Sequence, residues 1–267
     1  MFTLCLTTDQ ARGSHRPEEV VEDLEPRTEG GHGKTFVDAV HSLPAPPLGI
    51  PAARGEAEAG DAELGEWFGV GPGSWFALGG LVPEVTARAP EVAEILGHAG
   101  TVEVVDDIRS AKWMKLVVNA GELVPCAILG EPMHAVEATP GMLPFMLAAS
   151  QEAAEAAVLA GCRIVPIFGL DVDTSDRPEF VRRLIDKVLR DYALPHTKTT
   201  VLHDWMKNRH SEVNEINGLV VQVHREHGLS APANQLLVEI AQRIEHGELE
   251  PRAENADLLV SHHVAID

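Results

Sequence analysis

Basic residues are scarce in this chain: 21 Lys and Arg stand against 41 Asp and Glu, for a formal net charge of −20. That balance excludes a broad phosphate-binding surface, and nucleic acid with it. Long apolar runs are missing as well. No stretch reaches the roughly eighteen consecutive apolar residues expected of a membrane-spanning helix. The opening MFTLCLTTDQ has neither the basic start nor the long apolar core of a secretory signal, so a cytoplasmic location is expected. Cysteine is rare. Cys5, Cys126 and Cys162 are odd in number and widely spaced, as reduced core thiols would be, and form neither a disulfide framework nor a zinc knuckle. The four tryptophans, Trp67, Trp75, Trp113 and Trp205, read as packing anchors rather than stacking platforms.

What is present suffices for a real core. The 267 residues are 45% hydrophobic and allow one large domain or two small ones. Residues 1–66 differ from the rest, with eight Gly, six Pro and 13 acidic against 5 basic residues. FTLCLTT reads as a short buried strand and PEEVVEDLEP as a short acidic helix, whereas Ser42 to Gly60 is Pro/Gly/Ala-rich and irregular. Aromatic and glycine residues in EWFGVGPGSWFALGG precede a helical pattern, VPEVTARAPEVAEILGHAG, for which Gly100 is the expected C-cap; TVEVV then reads as a strand. Strand, helix and strand in succession resemble the closing edge of an α/β sheet.

After Asp107 the signal turns helical. From Ile108 to Gly130, Trp113, Leu116, Val117, Ala120, Val124, Ala127 and Ile128 recur at helical spacing and predict a buried stripe. Lys112, Lys115, Asn119 and Glu122 form a second, polar face, and Gly121 with Pro125 predicts an interruption near the middle. A further helix is expected from about Thr139 to Ala160, stopped by Gly161. Another opens at Asp176, where Asp176-x-x-Glu179 fits a capping box. One long helix is predicted from about Thr199 to His227, ended by Gly228, and a last one over APANQLLVEIAQRIEHGEL, with fraying beyond about Asn255.

Several motif-like stretches fail on inspection. GVGPGS at Gly69 to Ser74 carries Ser74 where a dinucleotide loop needs its third glycine. GGHGKT at Gly30 to Thr35 has Thr28 where a phosphate loop needs its first. DVDTSD at Asp171 to Asp176 puts Asp176 where a calcium loop requires glycine, so a helix cap is the better reading. His224 and His227 have metal-ligand spacing but no third ligand, and are read as surface histidines; no metal site is expected. Two polar groups survive. Lys115 and Asn119, one turn apart, would let an ammonium and a carboxamide bind or protonate one oxygen together. LHDWMKNRHSEVNEING would place Asn208, Glu212 and Glu215 along one helix face, beneath a hydroxyl from Thr200.

Together, I-R-x-x-K-W-x-K-L-x-x-N at Ile108 to Asn119, L-x-D-x-x-x-x-R-x-S-E-V-x-x-I-N-G at Leu202 to Gly218 and G-L-S-A-P-x-N at Gly228 to Asn234 resemble the ketopantoate reductase family, the 2-dehydropantoate 2-reductases, over about residues 65–250. The resemblance implies a Rossmann domain carrying NADP(H), then an all-helical domain, with a small 2-keto acid bound and reduced to the 2-hydroxy acid. It places Lys115 as the catalytic lysine that protonates the keto oxygen. Asn119 helps hold lysine and substrate, Thr200 contacts the substrate carboxylate, and Glu212 hydrogen-bonds the distal hydroxyl. Leu123 stands where well-known members have a second helix asparagine and cannot hydrogen-bond, a departure that bears on pantoate specificity.

The chain carries no G-x-G-x-x-G after its first strand, where the family seats the pyrophosphate, so weak or no NADPH binding is predicted and cofactor-binding residues are unassigned. The expected fold is mainly α, an all-helical C-terminal domain preceded by a partial α/β, Rossmann-like segment. Its divisions are 1–64, irregular or partial nucleotide segment; 65–105, closing α/β edge; and 106–267, helical substrate and dimerisation domain. The alternative function is a non-catalytic binding or dimerisation module. Expected partners are the keto acid, a second copy in a homodimer, and a separate nucleotide-binding chain that supplies the missing units, with no membrane and no nucleic acid.

Overall fold

The computed structural model describes residues 2–6, 74–98, 100–171, 173–193 and 195–263. The expected acidic helix at PEEVVEDLEP, the irregular Ser42 to Gly60 stretch, Trp67 and the GGHGKT and GVGPG segments lie outside the described residues. The chain divides into two compact units, Met1–Ile108 and Arg109–Asp267.

The first unit holds a parallel sheet in the order β1 (Phe2–Leu6), β2 (Ser74–Gly80), β3 (Gly100–Val104). Phe2 pairs with Phe76 and Leu6 with Gly80 on one side of β2, and Ser74 with Gly100 on the other. Trp75, Phe76, Ala77 and Leu78 are all buried in succession, the pattern of a central parallel strand covered on both faces. Between β2 and β3 the chain forms α1 (Pro83–Thr86) and α2 (Ala89–Leu96). Phe76, Leu78, Val85 and Ala89 make the core, with Val92, Ala93, Leu96 and Val102 packed against it. The strand, helix, strand expectation holds, with one correction. Gly97 rather than Gly100 caps α2, and Gly100 opens β3, because its backbone is taken into the ladder with Ser74.

The second unit is helical: α3 (Ile108–Leu129), α4 (Met133–Ala138), α5 (Met142–Leu159), α6 (Arg177–Asp191), α7 (Thr200–Met206), a π turn (Asn214–Gly218) running into α8 (Leu219–Glu226), α9 (Pro232–Glu245) and α10 (Ala256–His263). The fold class is therefore mainly α beside a partial α/β segment, as the sequence implies. No helix among the described residues is long and apolar enough to cross a membrane.

The long helix α3 lies at the centre, and side chains from around the unit donate to its carbonyls: Ser150 Oγ to Val117 at 2.9 Å, Asn217 Nδ2 to Ala120 at 3.0 Å, Thr199 Oγ1 to Leu123 at 3.0 Å and Asn255 Nδ2 to Ile128 at 2.9 Å. A carbonyl has two lone pairs and accepts such a donor beside its helical partner. Gly121 is where α5 comes closest: a Cβ there would lie 2.6 Å from the Met146 carbonyl oxygen and closer still to Ser150 Oγ. The helix runs unbroken through Pro125, contrary to the interruption expected, since surrounding packing holds residues whose backbone loses only one amide donor. It stops at Gly130, φ +69°, where the Gly130 amide reaches the Ala127 carbonyl and the Glu131 amide the Cys126 carbonyl. That is a Schellman end, which needs a residue at ease in the left-handed region.

Other expectations are corrected here. Trp113 and Leu116 are only half-buried, while Glu122 of the supposed polar face is 1% exposed. Asp176 caps α6 by accepting from the Glu179 amide at 3.1 Å, yet Glu179 completes no box, because its carboxylate is drawn to Arg182 and Arg183. Among the described residues the chain beyond Asn255 does not fray: Ala256–His263 forms α10, anchored by buried Leu259. His224 is not a surface residue but lies 1% exposed, its Nδ1 donating to the Val220 carbonyl at 2.9 Å.

Candidate functional site

Lys115 sits in the middle of α3, half-buried, with Asn119, also half-buried, one turn further on. Burial pulls the Lys115 pKa below the ordinary lysine value; the Glu212 carboxylate pushes back, and Lys112 adds to the lowering. Lys115 and Glu212 are 97 positions apart in the chain and electrostatic neighbours in the fold. Such a lysine gives up its proton more readily than a free one, which suits a proton donor.

Glu212 is exposed, and its placement comes from both neighbours. On one side, Ser211 is held by Glu245 of α9: the Ser211 hydroxyl donates to Glu245 Oε1 at 2.7 Å and its amide at 3.1 Å, while Trp205 Nε1 donates to the same oxygen at 3.1 Å. Burial works against that carboxylate, but the donors from Ser211, Trp205 and His210 outweigh it and hold its pKa below the usual range. On the other side, the Glu212 carbonyl accepts from the Ile216 amide at 3.0 Å, an ordinary helical bond just ahead of the π turn. π turns are rare and concentrate where a helix must place a side chain off its regular track.

The expected single helix from Thr199 to His227 is thus broken. Asn208, at φ +52°, turns the chain between α7 and the helical segment that begins at Val213. Asn208, Glu212 and Glu215 therefore do not share one helix face. Asn208 lines a separate cleft of about 580 Å³ with Trp205, Arg209 and Glu245, which neither Lys115 nor Glu212 borders. No periodicity in the sequence distinguishes this break, because Lys207 to Ser211 contains neither Gly nor Pro.

Thr200 lies in the first turn of α7 with its side chain exposed. The preceding residue explains why. Thr199, 2% exposed, is the N-cap, accepting from the Leu202 amide at 3.4 Å and donating to the Leu123 carbonyl of α3. The buried hydroxyl does the structural work, which leaves the one at Thr200 available. Leu123, the departure noted above, contributes its backbone to this same joint. Sequence reasoning missed Thr199, although the Thr199-Thr200 doublet at a helix start was a visible signal.

Two further carboxyls, Glu122 and Glu152, are raised by burial. Burial raises Glu122 well above the ordinary carboxylate value, with Glu137 adding, which favours its neutral form, and among the described residues its Oε1 has no hydrogen-bond partner. Cys126, one turn on, is likewise raised by burial and then by Glu122. Glu152 on α5 is raised by burial, against donors from Asn234 and Ala233 that favour its charge.

Comparison with known proteins identifies the family of the helical unit. The family model described as ketopantoate reductase PanE/ApbA C terminal matches residues 107–245. The chain is 26% identical over 171 residues to a 2-dehydropantoate 2-reductase of Archaeoglobus fulgidus, covering 64% of this chain and 52% of that one. It is 27% identical over 174 residues to one of Pyrococcus horikoshii, with the same coverage. Among solved structures, a PanE/ApbA family ketopantoate reductase from Ralstonia eutropha JMP134 superposes with a TM-score of 0.50 at 24% identity, covering 61% of this chain and 50% of that one. D-mandelate dehydrogenase, solved with NADH and anilino(oxo)acetate, gives 0.51 at 20%, covering 60% and 49%; at these identities the likeness is one of fold. The chain spans about half the length of the curated relatives it matches. With more than half of its residues inside the family model, and the helical unit built around α3, this chain belongs to the ketopantoate reductase family.

Proposed function

We propose that the helical unit binds a small 2-keto acid and protonates its keto oxygen, as one half of an NADPH-dependent reduction to the 2-hydroxy acid. The observation that supports this reading is the pairing of Lys115 with Glu212, with Asn119 one turn along α3. Lys115 donates the proton, Asn119 orients the ammonium and the keto oxygen, Thr200 offers its hydroxyl to the substrate carboxylate, and Glu212 accepts from a distal hydroxyl. Glu212 has a second effect: its carboxylate opposes the lowering that burial imposes on the Lys115 pKa. Leu123 presents no polar side chain, which favours keto acids with a less polar distal end than pantoate's precursor.

NADPH, when bound, would supply the hydride. The described residues of the first unit include no G-x-G-x-x-G turn to cradle its phosphates, so they do not fit the cofactor, and no step is assigned to them. The reading is tested by following NADPH oxidation with a panel of 2-keto acids. Lys115→Ala should lower kcat/KM by roughly 10²–10⁴-fold, the range for loss of a general acid. An unchanged rate would remove Lys115 from the reaction.

A further inference from the structure

Behind the paired charges lies a buried chain of amides. Asn217, in the π turn and fully buried, spends both protons of Nδ2: one on the Ala120 carbonyl at 3.0 Å, the other on Asn234 Oδ1 at 2.8 Å. Asn234, fully buried at the start of α9, donates from its own Nδ2 to the Ala149 carbonyl at 2.9 Å and to Glu152 Oε2 at 2.7 Å. Glu152 also accepts the Ala233 and Asn234 amides, both at 2.9 Å, and so caps α9 from α5. Each amide faces only acceptors with its nitrogen, so neither can be flipped without losing its bonds. Donation thus starts at Asn217 and runs two ways, to α3 at Ala120 and through Asn234 to Glu152.

Its two ends matter because of what adjoins them. Ala120 follows Asn119 directly, and Ile216, the neighbour of Asn217 in the π turn, donates its amide to the Glu212 carbonyl at 3.0 Å. We propose that Asn217, held by Asn234 and Glu152, is a positioning residue: it fixes the π turn, and with it the preceding segment that carries Glu212, against the helix bearing Lys115 and Asn119. This rests on the assignment of Lys115 and Glu212 as a functional pair. Asn217 touches neither Lys115 nor substrate and acts through backbone geometry. Alanine drops both donors and leaves Asn234 Oδ1 buried without a proton, and aspartate would set a carboxylate against two acceptors.

The test reads Lys115 directly and needs neither NADPH nor keto acid. The full-length chain is labelled with acetic anhydride across a pH series, and acetylation at Lys115 is followed by peptide mass spectrometry to give its titration midpoint. Glu212→Gln sets the scale by moving that midpoint to lower pH. Asn217→Ala should move it in the same direction by at least half as much. Leu259→Ala, a cavity in α10 chosen to lower the melting temperature comparably, should leave it where the native chain has it. Loss of thermal stability in Asn217→Ala with an unmoved Lys115 midpoint makes Asn217 structural only and overturns the proposal. If Glu212→Gln itself leaves Lys115 unmoved, the pairing beneath it falls too, whereas absence of keto-acid turnover with a coupled midpoint would fault the functional reading alone. Should Asn217→Ala fail to fold, Asn217→Ser, which keeps one donor, is judged by the same criterion.

Discussion

Gly121→Ala sets two physical rules against each other in the middle of α3. Helix propensity alone favours the change by about 1 kcal/mol, because glycine is the costliest non-proline residue in a helix interior. Packing opposes it. The added Cβ would stand 2.6 Å from the Met146 carbonyl oxygen, which belongs to the α5 backbone and cannot rotate away, and it would also meet Ser150 Oγ. Overpacking of this kind costs about 1–3 kcal/mol, and displacing Ser150 from the Val117 carbonyl adds about 1 kcal/mol. The net expectation is a loss of about 1–3 kcal/mol. For a chain of this size that lowers the melting temperature of the helical signal by roughly 3–10 °C, measured by far-ultraviolet circular dichroism. Adding Ser150→Ala should recover part of the loss, since the nearer obstruction goes while the carbonyl remains. A melting temperature that rises in Gly121→Ala, as propensity alone demands, would refute the claim that α3 and α5 are in backbone contact there.

Glu122 gives a prediction in pH. Its folded pKa is raised by burial, so the stability associated with its neutral form is complete below the unfolded value of 4.5 and is lost as pH rises toward the folded value. Urea unfolding from pH 4 to pH 8 should therefore show Glu122→Gln gaining on the native chain by up to about 1.4 kcal/mol per pH unit above that point; parallel curves would show that Glu122 is ionised in the fold. Lys115 has its folded pKa lowered, so its acid form is lost earlier on the alkaline side. The alkaline limb of kcat/KM should fall below the pH of a free lysine, and Glu212→Gln should move that limb further down. Thr199→Val keeps the shape of the buried N-cap but removes its donor to Leu123 and its acceptor for Leu202. A loss of about 1–2 kcal/mol in chemical denaturation is expected, with Thr200→Val near neutral, and the reverse order would contradict the division of labour between the two hydroxyls.

The sequence by itself determined the helical unit and most of its stops, and it singled out Lys115 and Asn119 as candidates for a site. Gly130, Gly161, Gly228 and Gly247 end the helices expected of them, all at positive φ, because local chemistry sets a helix end. The spacing of Lys115 and Asn119 was legible for the same reason: four residues make one turn. The tertiary structure alone decided what faces what. Glu122 shares a helical face with Lys112 and Asn119 on paper, yet it is buried, and only the elements packed against α3 make it so. His224 reads as a surface histidine on an acidic helix until α5 covers it. The break at Asn208 and the π turn carry no local marker; they follow from Glu245 holding Ser211 and from Asn217 reaching Ala120, contacts 34 and 97 residues apart in the chain. Periodicity reports the backbone's preference over a few turns. The distance between Lys115 and Glu212 is a property of three helices at once, and no window of sequence contains it.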